Sequence, residues 1–185
     1  DSIKGKKIIL YQGHIGADRN IDLVAIALQK IKKEEFVLVL MGPIYDNFDQ
    51  RVQDLYTQTY VIPYIPAPFH LEITSYAHMG VVTYDTSSLN QLFCAPNKIY
   101  EYAAFDIPMI ASDIPGLKYT VGYSGAGLCA NFNNPDEIVD IILRIDLDYD
   151  RYAQRSRLFF ESIDMEKLFD TILLRNNETR NVERE

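Results

Sequence analysis

The chain has 185 residues, 48% of them hydrophobic, and carries a formal net charge of −8. That length and apolar share suit one globular domain with its own core. The acidic balance excludes the broad basic face that a nucleic-acid backbone needs, although not a small phosphate ligand held by a few local donors.

Strand-length apolar runs alternate with longer stretches of helical period. "KKIILYQG" (Lys6 to Gly13) reads as a buried strand ending at glycine. "NIDLVAIALQKI" sets Ile21, Val24, Ala25, Leu28 and Ile31 on one helical face. "FVLVLMG" (Phe36 to Gly42) is a second continuous apolar strand, and "DNFDQRVQDLYTQ" a more polar helix. "YVIPYI" is a short strand broken by Pro63, which suits an edge or a strand end. A helix over about Phe69 to Ala77 leads into the strand "MGVVTYD". A further helix starts near Pro96 and feeds the strand "PMIAS", and "GAGLCA" is the last strand. "NPDEIVDIILRI" has Asn and Pro in its start positions and acids in its first turn, which marks a helix. "YDRYAQRSRLFFESI" and "MEKLFDTILLR" read as two terminal helices, and "NNETRNVERE" as a frayed tail. One domain over residues 1–175 and a flexible tail over 176–185 are expected.

Continuous apolar strands separated by helices imply a parallel sheet covered on both faces, an α/β doubly wound, Rossmann-like fold. In such sheets ligands sit outside the carboxyl ends of the strands. The loops to inspect are therefore "QGHIGADRN", "MGPIYDN", "YDTSSLNQLFCAPNK" and "ASDIPGLKYTVGYSG".

The first of these offers Gly13, His14 and Arg19. Glycine lets backbone approach a ligand, and Arg19 stands just before a helix start, so together they suit a phosphate. The loop is not G-x-G-x-x-G, and no acid follows the second strand, which weighs against a nicotinamide dinucleotide. Taken alone, Arg19 is more often a solvated helix-start residue. In "PNKIYEYAAFDIPMIASDIPG", Pro96 suits a helix first turn, where free N–H groups and Lys98 form a second anion site. Glu101, one turn on, suits a vicinal diol such as a ribose. The plain alternative is an exposed Lys98–Glu101 pair at i, i+3. Ser112–Asp113 is expected as a buried polar pair that at least caps a turn. Tyr100, Tyr102, Tyr119 and Tyr123 are candidates to stack on a base, or ordinary half-buried packing. Two phosphate-suited loops at one sheet edge favour a nucleoside diphosphate.

Cys94 and Cys129 show no metal-type spacing and are expected as buried small apolar side chains in a reduced compartment. No apolar run reaches the roughly 18 residues of a membrane span, and no signal peptide is visible. The chain opens on Asp1, and "DSIKGKK" reads as a linker into a strand, so a piece of a longer protein is expected.

Three stretches in order, "LYQGHIGADRNIDLVAIAL", "NKIYEYAAFDIPMIASDIPG" and "GAGLCANFNNPDEIVDII", resemble the donor-binding, carboxyl-terminal domain of GT-B fold glycosyltransferases of the family 4 type. The resemblance runs from about Lys6 to Lys167. It implies the C-terminal half of a GT-B fold with extra C-terminal helices, and a retaining enzyme that binds a nucleotide-diphosphate sugar of the UDP or GDP type. No metal and no other cofactor is implied. The acceptor, and any membrane contact, would come through an amino-terminal half outside this chain, so the isolated chain is expected to be inactive. A cytoplasmic setting and a role in polysaccharide or glycolipid assembly are what the resemblance suggests.

Position by position, the resemblance assigns the diphosphate to Gly13, His14 and Arg19, with His14 where the family has Arg and Arg19 where it has Lys. Glu101 matches the ribose-binding Glu. The family's other Glu falls at Phe93 and is absent, so the sugar is not named by that position. Asn97 and Lys98 match an "NK" variant in which Lys98 supplies positive charge to the leaving phosphate, and Tyr64 lies where the base is received. Arg19 and Lys98 are the residues expected to carry catalysis. A GT-B-like sugar-nucleotide epimerase and a degenerate, non-catalytic binding domain are the alternatives.

Overall fold

The computed structural model describes residues 3–31 and 34–163. The expected second terminal helix and the tail, together with the expected domain limit, lie outside these residues. Six strands form one parallel sheet: β1 (Lys7–Gln12), β2 (Phe36–Met41), β3 (Thr59–Ile62), β4 (Met79–Val82), β5 (Met109–Ser112) and β6 (Gly127–Ala130). Their order across the sheet is β3-β2-β1-β4-β5-β6. The chain winds outward from β1 in one direction and from β4 in the other. The topological switch point therefore lies between β1 and β4, where Ile9 pairs with Met79 and Tyr11 with Val81. This is the Rossmann-like architecture expected, and β3 is an edge strand that stops just before Pro63.

Alternation along the strands builds two cores. Ile9 and Tyr11 of β1 and Leu38 and Leu40 of β2 point to one face, Leu10, Val37 and Val39 to the other. The first face is covered by α1 (Ile21–Ile31), α2 (Phe48–Leu55) and α7 (Pro135–Leu147), through Ile21, Val24, Leu28, Val52, Ile138 and Ile142 among others. α7 opens as the sequence suggests, with Pro135 at its first position and the Asn134 side chain accepting from the Asp136 N–H. The second face is covered by α5 (Asn97–Ala103) through Ile99, Tyr102 and Ala103. Gly80 of β4 makes this possible, because a Cβ there would fall 2.4 Å from the Tyr102 ring. The Tyr102 hydroxyl donates to the Leu10 carbonyl at 3.0 Å and ties α5 to the strand beside the switch point.

Four elements were not expected. A 3-10 turn at Ala17–Arg19 tightens the first loop. A short helix, α4 (Leu89–Phe93), occupies the fourth-strand loop. After β5, α6 (Pro115–Leu117) runs into a wider π-type turn at Lys118–Gly122. The remaining helices are α3 (His70–Thr74) and α8 (Tyr149–Glu161). α8 docks through the buried Ser156 hydroxyl, which donates to the Ile107 carbonyl at 2.9 Å.

Candidate nucleotide-sugar site

Gly42 follows β2 at φ 146°, and a Cβ there would meet the Gly13 carbonyl oxygen at 2.1 Å. Glycine is thus required where the ends of β1 and β2 converge. Beside them opens a cleft of about 430 Å³, within the roughly 300–1,000 Å³ typical of small-molecule sites. It lies over the carboxyl ends of β1, β2 and β3 and against α5. Its lining includes Gly13, His14, Tyr64, Asn97, Lys98 and Glu101, six of the residues singled out in the sequence. Arg19, the seventh, stands behind this cleft, with its guanidinium 4.8 Å from the centre of the Tyr84 ring.

Lys98 is held in an unusual setting. Its ammonium lies 4.3 Å from the centre of the Tyr11 ring and 5.6 Å from that of Tyr84, and makes no ion pair or hydrogen bond among the described residues. Burial, aided by the nearby Arg19 charge and opposed by Glu101, pushes its pKa down to about 7. An incoming polyanion would relieve both penalties. The exposed Lys98–Glu101 surface pair is therefore not formed, because the two side chains have different surroundings. Pro96 stands at the N-cap of α5, one position before the first turn where it was expected. α5 is only seven residues long, so the Lys98 charge outweighs the helix dipole as an anion anchor.

Glu101 is positioned by groups that the sequence reading missed. The Gln12 Nε2 donates to Glu101 Oε2 at 2.5 Å, and His70 Nε2 lies 3.3 Å from Glu101 Oε1. The Thr74 hydroxyl in turn donates to Gln12 Oε1 at 2.8 Å. The carboxylate is thus oriented from two sides, yet more than a quarter of its side chain stays exposed to a ligand (27%). Gln12 gave a signal, a polar residue closing an otherwise apolar strand. His70 gave none.

The first loop is internally balanced. His14 stacks on Tyr45 with ring centres 4.2 Å apart, and its Nε2 lies 3.1 Å from Asp18 Oδ1. The other Asp18 oxygen sits 3.0 Å from Arg19 Nη1, an ion contact without hydrogen-bond geometry, since that buried nitrogen has no hydrogen-bond partner. Asp18 therefore shares its carboxylate between His14 and Arg19, a role that its position between them could have suggested.

Three expectations about neighbouring residues change. Tyr102 is core, Tyr100 stacks on Phe159, and Tyr119 and Tyr123 meet each other edge-on at 6.2 Å. None of these four lines the cleft; the rings against the cations are Tyr11 and Tyr84. Ser112 is buried and donates to Thr83 Oγ1 at 3.0 Å, but Asp113 is exposed and paired with Lys118 at 2.8 Å, so the pair is split. Both cysteines are half-buried, not fully buried: Cys94 caps the end of α4 and Cys129 lies on β6, an edge strand. Phe93 points outward, 64% exposed, at the end of α4. No cluster of three or more His, Cys, Asp or Glu side chains able to hold a metal occurs among the described residues.

The sheet order and the position of this cleft define a class: a Rossmann-like domain of the kind that forms the carboxyl-terminal half of GT-B fold glycosyltransferases. The chain belongs to the family of glycosyl transferases group 1, whose model matches residues 6–148. Among solved structures it resembles WaaG, a glycosyltransferase involved in lipopolysaccharide biosynthesis, at 14% identity and a TM-score of 0.70, covering 91% of this chain and 47% of that one. The sucrose-phosphate synthase of Thermosynechococcus elongatus matches at 19% identity and a TM-score of 0.71, covering 95% and 46%. Anabaena HepE, in complex with UDP and glucose, matches at 11% identity and a TM-score of 0.74, covering 95% and 49%. These identities speak to the fold. The chain spans about half the length of each of these structures. A comparison with curated protein sequences finds no match.

Proposed function

We propose that this protein is the donor-binding half of a retaining, family 4-type glycosyltransferase that uses a nucleotide-diphosphate sugar of the UDP or GDP type. The observation that carries the reading is the meeting, in one cleft, of a lysine with no counter-ion among the described residues and a carboxylate braced by Gln12 and His70. In this reading Glu101 accepts from the ribose hydroxyls, and the base lies toward Tyr64. Arg19, Lys98 and, less strongly, His14 meet the diphosphate, with Gly13 and Asn97 giving it close backbone approach. As the glycosidic bond to the donor breaks, negative charge grows on the β-phosphate and the sugar becomes oxocarbenium-like. Arg19 and Lys98 stabilise that charge from fixed positions. The group that accepts the sugar, and the half of the enzyme that binds it, lie outside this chain, so the chain alone turns over nothing. No helix among the described residues is long and apolar enough to cross a membrane. The reading places the reaction in the cytoplasm, in polysaccharide or glycolipid assembly.

Calorimetric titration with UDP, GDP and ADP tests the site. One nucleotide binds, and Glu101→Ala and Lys98→Ala each weaken it by about tenfold or more, the size of one charge-assisted contact. Equal binding by the wild type and both variants would overturn the assignment. A degenerate, non-catalytic domain is a second reading, favoured by Phe93 standing where the family carries a carboxylate. Nucleotide binding with no sugar transfer, even after the amino-terminal half is supplied, would support it.

A further inference from the structure

The lysines among the described residues fall into two kinds. Lys7, Lys30 and Lys118 each face a carboxylate, at 2.6, 2.7 and 2.8 Å, Lys6 donates to the Glu34 carbonyl, and Lys4 is exposed to water. Lys98 has none of these outlets. Its nitrogen makes no ion pair or hydrogen bond among the described residues and lies against the rings of Tyr11 and Tyr84. Arg19, whose guanidinium lies against the same Tyr84 ring, adds a like charge. Yet the nitrogen can be reached. Lys98 lines the cleft of about 430 Å³, and a Cβ at Gly13 would fall 3.3 Å from Nζ, so glycine leaves that side open.

These surroundings disfavour the ammonium and favour the free amine. A cation against aromatic walls has lost water without gaining a counter-charge, and a neighbouring cation repels it. Desolvation and an adjacent cation are also what activate a lysine as a nucleophile. With its pKa pushed down to about 7, by burial first and Arg19 second, about half of Lys98 is free amine at pH 7. A lysine at the reference value is free amine in roughly one part in a few thousand. The same surroundings select the electrophile. Arg19 Nη1 is buried with no hydrogen-bond partner, so an adduct that ends in an oxyanion has an unsatisfied cation beside it. The other groups around the nitrogen do not oppose it strongly. Glu101 is already bonded to Gln12 and faces His70, and Cys94, Tyr11 and Tyr84 keep their protons because burial raises each pKa. Carbon dioxide is a small apolar electrophile that enters such a site and turns an amine into an anion.

We propose that Lys98 is a carbon dioxide acceptor, and that its carbamate closes the anion site as a reversible switch. The amine lone pair forms an N–C bond to CO2, one C–O π pair moves onto oxygen, and one N–H proton leaves to solvent. The balance is amine plus CO2 giving carbamate plus a proton. The charge at this position changes from positive to negative, and Arg19 gains a counter-ion. A diphosphate then meets a carboxylate where it needs two cations. The adduct depends only on Lys98 and its neighbours, whereas the competition with a donor rests on the donor-site reading above.

The test is to equilibrate the chain with CO2 near neutral pH, fix carbamates as esters with a trialkyloxonium reagent, and map them by mass spectrometry. The ester falls on Lys98 and not on Lys7, Lys30 or Lys118, and Lys98→Arg removes it. Calorimetry at fixed pH and ionic strength, with whichever of UDP and GDP binds, reads the switch. Raising CO2 until about nine-tenths of Lys98 is modified weakens binding about tenfold, because only the unmodified fraction is competent. An excess of that diphosphate lowers the trapped ester in turn, and the affinity of Lys98→Arg does not respond to CO2. No ester on Lys98, at a CO2 pressure that modifies the α-amine of a control peptide, would overturn the proposal and leave the donor site standing. An ester on Lys98 that leaves diphosphate affinity unchanged would overturn the switch. An ester on Lys98 in a chain that binds neither diphosphate would support the acceptor role and sink the donor-site reading, and with it the competition.

Discussion

The two ends of the sheet hold their charges in opposite ways. At the amino end, Asp146 of α7 pairs with Lys7 at 2.6 Å and with His78 Nε2 at 3.1 Å. Lys7 also reaches Glu35 at 3.2 Å, and Tyr149 stacks on His78 with ring centres 4.2 Å apart. Every charge there faces an opposite one, and the cluster staples β1, β4 and α7 together. At the carboxyl end, Lys98 and Arg19 are neighbours of like sign, and Lys98 has only aromatic faces against its ammonium. A fold pays for function where its local rules are broken, and the contrast marks the carboxyl end as the working end. Two of the residues involved, Lys7 and Lys98, are both half-buried lysines. Their pKa values move in opposite directions, up for Lys7 through its bond to Asp146 and down for Lys98 through burial.

The largest effect should come from removing the convergence of strand ends. Gly42→Ala puts a methyl 2.1 Å from the Gly13 carbonyl at a φ of 146°. We expect a loss of about 3 kcal/mol, or about 6–12 °C in Tm for a domain of this size, with nucleotide binding abolished. An unchanged melting temperature would mean that the two loops are not pinned together.

The next effect concerns Lys98. With its pKa near 7, the lysine is only partly charged at neutral pH, and a bound diphosphate favours the charged form. Binding must then take up a proton above pH 7. Affinity should fall as pH rises from 7 to 9, by up to about tenfold per unit. Lys98→Met should flatten the profile, and calorimetry in buffers of different ionisation enthalpy should show the proton uptake in the wild type alone. A flat wild-type profile would place Lys98 away from the phosphates.

A smaller effect is expected at the amino end. Asp146→Asn should cost about 1–2 kcal/mol in denaturant unfolding at pH 7 and leave nucleotide affinity unchanged, since the pair is only partly shielded from water. Burial lowers the His78 pKa despite its bond to Asp146. Burial works to raise Asp146, but its bonds from Lys7 and His78 prevail and lower it. Both groups therefore bind protons more readily in the unfolded chain. Stability should drop first as pH falls below about 6.5 and again below about 4. In Asp146→Asn the second step should shrink. A second step of undiminished size would assign the acid limb to other carboxylates.

The sequence carried the architecture because the period of its apolar residues carries it. "FVLVLMG" has no polar face, so it can only be a strand covered on both sides, and "NPDEIVDIILRI" announces its own cap. The short elements were harder. α4 was read as loop, although Ser88 and Gln91 have the S-x-x-Q spacing of a capping box and the Gln91 N–H does donate to Ser88 Oγ at 3.3 Å. Five residues give too little periodicity to outweigh a polar, proline-flanked context. Gly13, His14, Arg19, Lys98 and Glu101 were visible because glycine, cations and a carboxylate stand out at strand ends.

By itself, then, the sequence determined the parallel sheet, the helices long enough to show a face, and the loops at which a ligand would sit. Those are properties of neighbours along the chain. Only the tertiary structure decided that Gln12, His70 and Thr74 brace Glu101, and that Asp18 is shared by His14 and Arg19. It alone set Lys98 between the rings of Tyr11 and Tyr84, and placed Tyr100, Tyr102, Tyr119 and Tyr123 outside the cleft. Those depend on which side chains a sheet order brings together across dozens of residues, and on burial, which shifts a charge without leaving any mark in local sequence.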